Sequence, residues 1–455
     1  MSETLPPRIV IVGAGPAGIR AAATLVEAGL HPVVIDEGHY AGGQIYRRPP
    51  AGFARTPARL YGSEAAKARA LHALFDRLAA EGQLTHCALS SVIAKHEGRL
   101  HVLAEGGARV IGYDRLILAT GAYDRVAPVP GWQSAGVYSL GAAQIALKAQ
   151  GVALGRRIVL MGSGPLLTLV GAQLIMAGAD VVAVLDTSPW HQQVRGLWQL
   201  AIRPVVALRG LALRARLGGR YHAGVTLERI EADGLGVAAL HWRDAGGRER
   251  LTPCDMIGMG WHLRAETHLA DLAGCAFTYD EQWRQWLPRT DRMGRAGNGV
   301  YLAGDGVRLL GADGAEIAGR LAAAALLTDL GRPVPSAGAD LRKLARLERF
   351  ARGLARSFPW PAAMVQALPD DAIVCRCENV TCGAVRESAD FGSGEANRVK
   401  SLSRGGMGRC QGRYCELAAV ELVAAQCGCT PGTVGRFRGQ APLRPAPVGA
   451  LLREG

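Results

Sequence analysis

No stretch of this 455-residue chain approaches the ~18 consecutive apolar residues of a membrane span, so a transmembrane helix is not expected. A secretory leader is not expected either. After a short polar lead the chain enters Arg8-Ile9-Val10-Ile11-Val12, an apolar run that reads as a strand, with no basic n-region and no cleavage site. No lysine-rich tract and no basic patch interleaved with aromatics occurs, which removes the sequence case for nucleic acid. Repeats of solenoid period are also lacking. In a leaderless chain the ten cysteines speak against a disulfide framework and for metal ligation or buried thiols. The expected compartment is the cytoplasm, with a peripheral place at the inner face of the cell membrane left open.

What is present fits a globular enzyme. Apolar residues make up 49% and charged residues 20% of the chain, and its length calls for two or three domains. The formal net charge of +13 is carried mainly by dispersed arginines and reads as a solvated basic surface. Many of the 60 glycines fall in phosphate-loop positions. The first is Gly13-x-Gly15-Pro16-Ala17-Gly18, between a strand at 9–12 and a helix at 19–28. Gly13 permits the tight turn, Gly15 lets backbone approach a pyrophosphate, and Gly18 permits close helix–strand packing. The helix N-terminus offers its N–H groups to the phosphates. Asp36, closing a strand at 32–36 with Glu37 beside it, stands where an acid accepts hydrogen bonds from an adenosine ribose. An acid there disfavours a 2′-phosphate, so FAD or NAD fits better than NADP.

Three further segments accompany that loop: Tyr40-Ala41-Gly42-Gly43-Gln44, Leu116-Ile117-Leu118-Ala119-Thr120-Gly121, and Gly299-Val300-Tyr301-Leu302-Ala303-Gly304-Asp305-Gly306. The set resembles the thioredoxin-reductase-like and glutathione-reductase-like flavoproteins over roughly residues 7–330. That resemblance implies FAD, with Asp305 at the ribityl or phosphate region and the Ala315–Glu316 region at the flavin edge. The redox-active Cys-x-x-Cys of those reductases is not found here. Cys87, Cys254 and Cys275 are isolated and read as small buried residues. His222, His241 and His262 are scattered and read as structural, with Trp261-His262 a candidate for the flavin-domain interface; no catalytic residue is assigned.

A second strand–loop–helix unit begins with a strand at 158–161 and Gly162-Ser163-Gly164-Pro165-Leu166-Leu167, continuing as a helix to 177 and a strand at 181–185. Leu167 stands where a third glycine is expected, crowding the helix–strand packing or reshaping the phosphate approach. This second domain binds NAD poorly, binds another adenine nucleotide such as ATP, or binds nothing. Farther on, Leu341, Leu344, Leu347, Phe350 and Leu354 recur at helical spacing between Pro333, Pro335 and Pro359, which predicts a helical connector packed on its own protein.

The C-terminal region carries Cys375-Arg376-Cys377 and, much later, Cys410-Gln411-Gly412-Arg413-Tyr414-Cys415. Four thiolates in two close pairs can complete two tetrahedral irons of a [2Fe-2S] cluster; the same set could hold zinc. The segment 405–409, Gly-rich with an arginine, can donate N–H groups to sulfur. Short helices are expected after Thr381 and at 416–425. Cys382 lies near the set, and Cys427-Gly428-Cys429 reads as non-ligating. The spacing resembles bacterioferritin-associated ferredoxin, except that four residues, not two, separate the second pair.

The order of all these motifs resembles the α (A) subunit of bacterial opine oxidases and D-hydroxyproline dehydrogenase complexes, and is similar to the B subunit of hydrogen cyanide synthase, over nearly the full chain. The resemblance implies an α/β fold of two Rossmann-like domains with a small helical [2Fe-2S] domain. It also implies a small ferredoxin-like subunit in some complexes, FMN between subunits in some relatives, and a second FAD-containing subunit that oxidises the substrate. The alternatives are an NAD(P)H-dependent flavin reductase and a non-catalytic zinc module. The domains expected are 1–125 and 263–335 for FAD, 126–262 for the second nucleotide fold, 336–370 for the connector, 371–435 for the cluster and 436–455 for an extended tail.

Overall fold

The strand Ile9–Val12 consists only of β-branched residues, which suits a strand covered on both faces. It lies between two parallel partners, Val33–Ile35 and Arg115–Leu118. Thr85–Cys87 extends the sheet on one side and Val300–Leu302 on the other. Arg295–Gly297 closes it as the sixth and antiparallel strand. The structure is a computed structural model and describes residues 6–50, 52, 55–334 and 336–451. Pro335 of the predicted connector, residues 1–5 of the first predicted domain and residues 452–455 of the predicted tail lie outside them.

The helices Pro16–Glu27 and Gly311–Asp329 pack against each other beside this sheet. Small residues set that distance: a Cβ on Gly319 would strike the Ala17 carbonyl oxygen. The first helix begins at Pro16, earlier than the expected 19, because proline at the first helical position loses no hydrogen bond. An antiparallel insert, Ser91–His96, Arg99–Ala104 and Gly107–Gly112, stands beside the sheet.

The second sheet is parallel throughout, in the order Tyr221–Ala223, Asp180–Asp186, Arg157–Ser163, Met256–Trp261, Val137–Ser139. Thr226–Asp233, Gly236–Arg243 and Glu249–Pro253 form an antiparallel sheet in the same domain. Ala122–Asp124 pairs antiparallel with Leu263–Ala265, so the chain crosses between the two folds twice, side by side. This is the expected α/β architecture of two Rossmann-like units with a helical C-terminal region.

The connector is the helix Gly338–Ser357. Its Leu344 and Leu347 are buried against Ile317 and Leu321 of the helix Gly311–Asp329, so the apolar stripe faces its own protein. Beyond it, the hairpin Ile373–Cys375/Val380–Thr381 and the helices Cys382–Phe391, Ala396–Ser403 and Glu416–Gln426 form the C-terminal module. Thr381 caps the first of these by accepting from the Ala384 N–H at 3.1 Å. The module is not free-standing. Trp132 donates its indole N–H to the Ile373 carbonyl at 2.6 Å, and Arg436 and Arg284 form two-pronged ion pairs with Asp271 and Glu421. The tail then returns to the first domain. Leu443 is buried and donates its N–H to the Ile93 carbonyl at 2.8 Å, and Arg444 pairs with Glu37 at 2.9 Å.

Candidate functional site

The first glycine loop is built so that bare backbone faces the ligand space. Gly13 has φ +107°, and a Cβ there would strike the Ala119 carbonyl oxygen; a Cβ on Gly18 would strike that of Gly13. Gly15 and Gly43 meet backbone to backbone, a Cβ on Gly43 lying 2.9 Å from the Gly15 Cα. A Cβ on Gly121, at φ +72°, would meet nothing within 4 Å. No side chain caps the helix Pro16–Glu27 and no acid sits in its first turn, so its N–H groups remain available to an anion.

Asp36 turns its carboxylate toward this loop, accepting from the Ala14 N–H at 2.5 Å and the Gly38 N–H at 2.6 Å. Glu37 points instead to Arg444 of the tail. Gln44 accepts from Arg47 at 3.2 Å on the surface. Ala17, Gly304 and Ala315 touch one another across the two helices, a Cβ on Gly304 lying 3.0 Å from that of Ala17 and 3.5 Å from that of Ala315. Asp305 accepts from the N–H groups of Leu310 and Gly311 through one oxygen, Oδ1, at 2.9 and 3.0 Å. Burial holds its carboxyl above the usual range. The predicted positions Gly13, Gly15, Ala17, Gly18, Gly43, Ala119, Gly304 and Ala315 thus converge on one cradle, with Pro16 opening the helix and Thr120 and Gly121 at its edge. Backbone packed this closely around the loop is what the tight turn and the helix–strand contact of a dinucleotide fold require.

The second loop differs. Gly164 has φ +101° where the corresponding Gly15 has φ −77°, and the His262 ring packs over it: a Cβ on Gly164 would lie 3.1 Å from Nε2. His262 itself holds φ +64° and meets Trp283 and Phe358 edge-on. Burial and then the nearby Arg125 push its imidazole down to about 4. Leu167 does not crowd the loop; it is fully buried in the core of this domain with Leu160 and Val184. The strand-end acid, Asp186, is used internally by Ser163, Ser188 and Tyr221, at 2.8 to 2.9 Å. The His262 ring thus stands against the second loop, and the Asp186 carboxylate is hydrogen-bonded within the protein.

The four predicted ligand cysteines come together as two pairs, the Cys375 sulfur with that of Cys415 and the Cys377 sulfur with that of Cys410. Backbone N–H groups converge on two of them, from Gly406, Cys377 and Glu378 on Cys375, and from Gly412, Arg413 and Tyr414 on Cys410. The partner thiol and these donors pull the Cys375 thiol down to about 6 and hold the Cys410 thiol below its ordinary value. Among the described residues no set of three or more His, Cys, Asp or Glu is arranged to hold a metal ion. Two cysteines per iron is what a [2Fe-2S] cluster asks of a protein, and the two pairs could supply that set; a single tetrahedral zinc would take the same four thiolates. Cys382 is buried at a helix start outside the pairs, Cys427 is exposed and Cys429 partly so. Cys87, Cys254 and Cys275 are buried, as expected.

Sequence reasoning missed what joins the cradle to the cysteines. Thr120 donates its hydroxyl to the Glu266 carbonyl at 2.8 Å, and the Glu266 N–H donates to the Gly121 carbonyl at 2.9 Å. The Glu266 carboxylate receives the Arg413 guanidinium at 2.5 Å, and Arg413 lies between Cys410 and Cys415. A second buried pair, Arg264 with Glu416, runs beside it. Glu266 and Arg413 are 147 positions apart, and no local pattern signals such a pair.

Comparison with known proteins agrees with this geometry. Residues 7–325 match the pyridine nucleotide-disulphide oxidoreductase family and residues 371–453 the sarcosine oxidase A3 domain. The chain is 35% identical to the A subunit of opine oxidase from Rhizobium meliloti, over 98% of this chain and 87% of that one. It is 31% identical to hydrogen cyanide synthase subunit HcnB of Pseudomonas aeruginosa, over 98% and 99%. In fold it resembles L-proline dehydrogenase from P. horikoshii, with a TM-score of 0.71 at 19% identity, over 98% of this chain and 79% of that one.

Proposed function

The chain belongs to the pyridine nucleotide-disulphide oxidoreductase family and, within it, to the family of opine oxidase A subunits, and from that premise we propose that it is the electron-transfer subunit of a heteromeric amino-acid or secondary-amine dehydrogenase. Membership makes it a flavin-dependent oxidoreductase, with FAD the cofactor that the family implies. The finer reading is that electrons arrive from a separate FAD-containing subunit that oxidises an opine- or D-hydroxyproline-type substrate. They then pass to a [2Fe-2S] cluster on Cys375, Cys377, Cys410 and Cys415, and on to a respiratory or dye acceptor. An FMN between subunits and a small ferredoxin-like subunit belong to the same reading.

FAD, when bound, supplies the exchange between two-electron and one-electron chemistry. The protein's part is to place and insulate. Gly13, Gly15 and Gly18 would hold the pyrophosphate on the helix Pro16–Glu27, with Asp36 at the ribose and Asp305 at the ribityl chain. Ala119, Thr120 and Gly121 would border the ring. The observation that carries the reading is the buried Thr120–Glu266–Arg413 contact, which fixes the cradle against the cysteine pairs. Glu266 and Arg413 neutralise each other there and exclude water without adding net charge.

The test is to purify the complex from its own cells and analyse metal and flavin. About two irons per chain and a reduced-state paramagnetic signal that is lost in Cys377→Ser are expected. Zinc in place of iron, or an isolated chain that oxidises amines at full rate, overturns the relay. A second reading, a component of a glycine-oxidising hydrogen cyanide synthase, is favoured by the likeness to HcnB over almost both full lengths. Direct reduction by NAD(P)H is disfavoured by the His262 ring on Gly164.

A further inference from the structure

The helix Pro204–Leu217 is apolar on both sides. Leu213 and Leu217 face its own domain core, yet Val205, Leu208 and Leu211 are 77%, 64% and 60% exposed. The segment just before it adds Trp190, Val194, Leu197 and Trp198, all more than half exposed, with Trp198 at 90%. The other exposed large apolar residues of the described chain are scattered. An apolar patch of this density marks an interaction surface.

The charge around the patch is of one sign. From 190 to 220 there are six arginines and no Asp or Glu. Arg203 and Arg209 find carboxylates on neighbouring elements, Asp313 and Glu64. Arg195, Arg216 and Arg220 have no carboxylate partner among the described residues. Two recesses of about 490 and 480 Å³ adjoin the patch and share Lys67, Arg203 and Asp313. Val205 and Val206 line one, and Glu316 and Ile317 the other. The groove thus runs from the apolar patch to the first turn of the helix Gly311–Asp329, beside Ala315.

We propose that this face receives the substrate-oxidising flavoprotein subunit, which presents an apolar projection ringed by carboxylates; the proposal rests on the relay reading above. Trp and Arg side chains are the residues that carry most binding energy at protein interfaces. The groove ends beside Glu316, in the region that the resemblance assigns to the flavin edge, where an electron donor would have to approach. A basic, Trp-bearing surface also suits an anionic bilayer, but a bilayer does not fill a recess.

The test uses the tagged full chain expressed in its own cells. The triple variant W198E/L208E/L211E is compared with wild type and with L235E, a control at an isolated side chain 97% exposed. The triple variant is expected to keep its bound flavin while co-purified amine-oxidising flavoprotein and substrate-to-dye activity fall at least tenfold; L235E matches wild type. Full partner recovery and activity in the triple variant overturns the proposal. Flotation with phosphatidylglycerol vesicles that the triple variant alone loses, with partner retained, overturns it in favour of a lipid surface. Should the triple variant fail to fold, W198E alone carries the same comparison. If wild type itself brings down no amine-oxidising flavoprotein, the relay reading fails first, a result separate from any effect of the variants.

Discussion

Burial by itself would push the Glu266 carboxyl up; the Arg413 guanidinium overrides this and holds it down at about 2. A carboxyl depressed in the fold lends stability that is present above its unfolded value near 4.3 and is lost as pH falls toward 2, about 1.4 kcal/mol for each unit crossed. Glu266→Gln leaves Arg413 buried without its counter-charge, an expected cost of about 3–5 kcal/mol. Thermal unfolding measured from pH 7 down to pH 3 checks both statements: the variant melts lower at pH 7 and loses less on acidification. At this scale the sequence was legible where the determinant is local. Gly13, Gly15 and Gly18 could be read because their spacing is itself the turn. Glu266 could not, because its partner lies on another domain. The pair Trp261-His262 pointed to the flavin-domain interface, and the His262 ring lies between the second glycine loop at Gly164 and Trp283 of the returning segment.

Secondary elements followed their end signals. The strands around both loops stand where apolar runs meet glycine, and the observed Asp180–Asp186 exceeds the expected 181–185 by one residue at each end. Leu167 illustrates the limit of motif reasoning. A leucine in the third glycine position implied either crowding or a reshaped phosphate approach; the turn at Gly164 differs from that at Gly15, and the side chain enters the core. What no periodicity announces is how closely elements approach. The connector helix Gly338–Ser357 crosses the short helical segment before Leu197 at a glycine pair: a Cβ on Gly196 would strike the Gly353 carbonyl oxygen and the Ser357 hydroxyl. Because the obstacle is backbone, relief requires the connector to shift. Gly196→Ala is expected to destabilise by about 1–3 kcal/mol, whereas Gly210→Ala, where a Cβ meets nothing within 4 Å, is not; paired denaturant titrations separate the two.

Across the whole molecule the C-terminal region is held at both ends. Trp132, Arg284 and Arg264 grip the module, and the tail beyond it lies on the first domain through Leu443 and Arg444. The Pro-rich composition of 440–455 suggested an extended tail on some surface; Val448–Leu451 form a short helix instead, and which surface the tail lies on is decided by Ile93 and Glu37, more than 300 positions earlier. Ending the chain at Gly439 removes a buried leucine, worth roughly 1.5–3 kcal/mol, and the carbonyl that accepts from Arg413 at 3.0 Å. A lower melting temperature, with faster amide exchange in the insert Ser91–His96, is the expected outcome by calorimetry and hydrogen-exchange mass spectrometry.

That double attachment bears on kinetics. Carrier domains on hinges deliver charge by swinging, at a rate set by diffusion and slowed by thick solvents. A module stitched to its neighbour before and after the cysteines has no arc to travel, so under the proposed relay an electron passing between flavin and cysteines would tunnel across a constant gap. Turnover inside this polypeptide would then be indifferent to added glycerol, and any drag from viscosity would belong to encounters with other molecules.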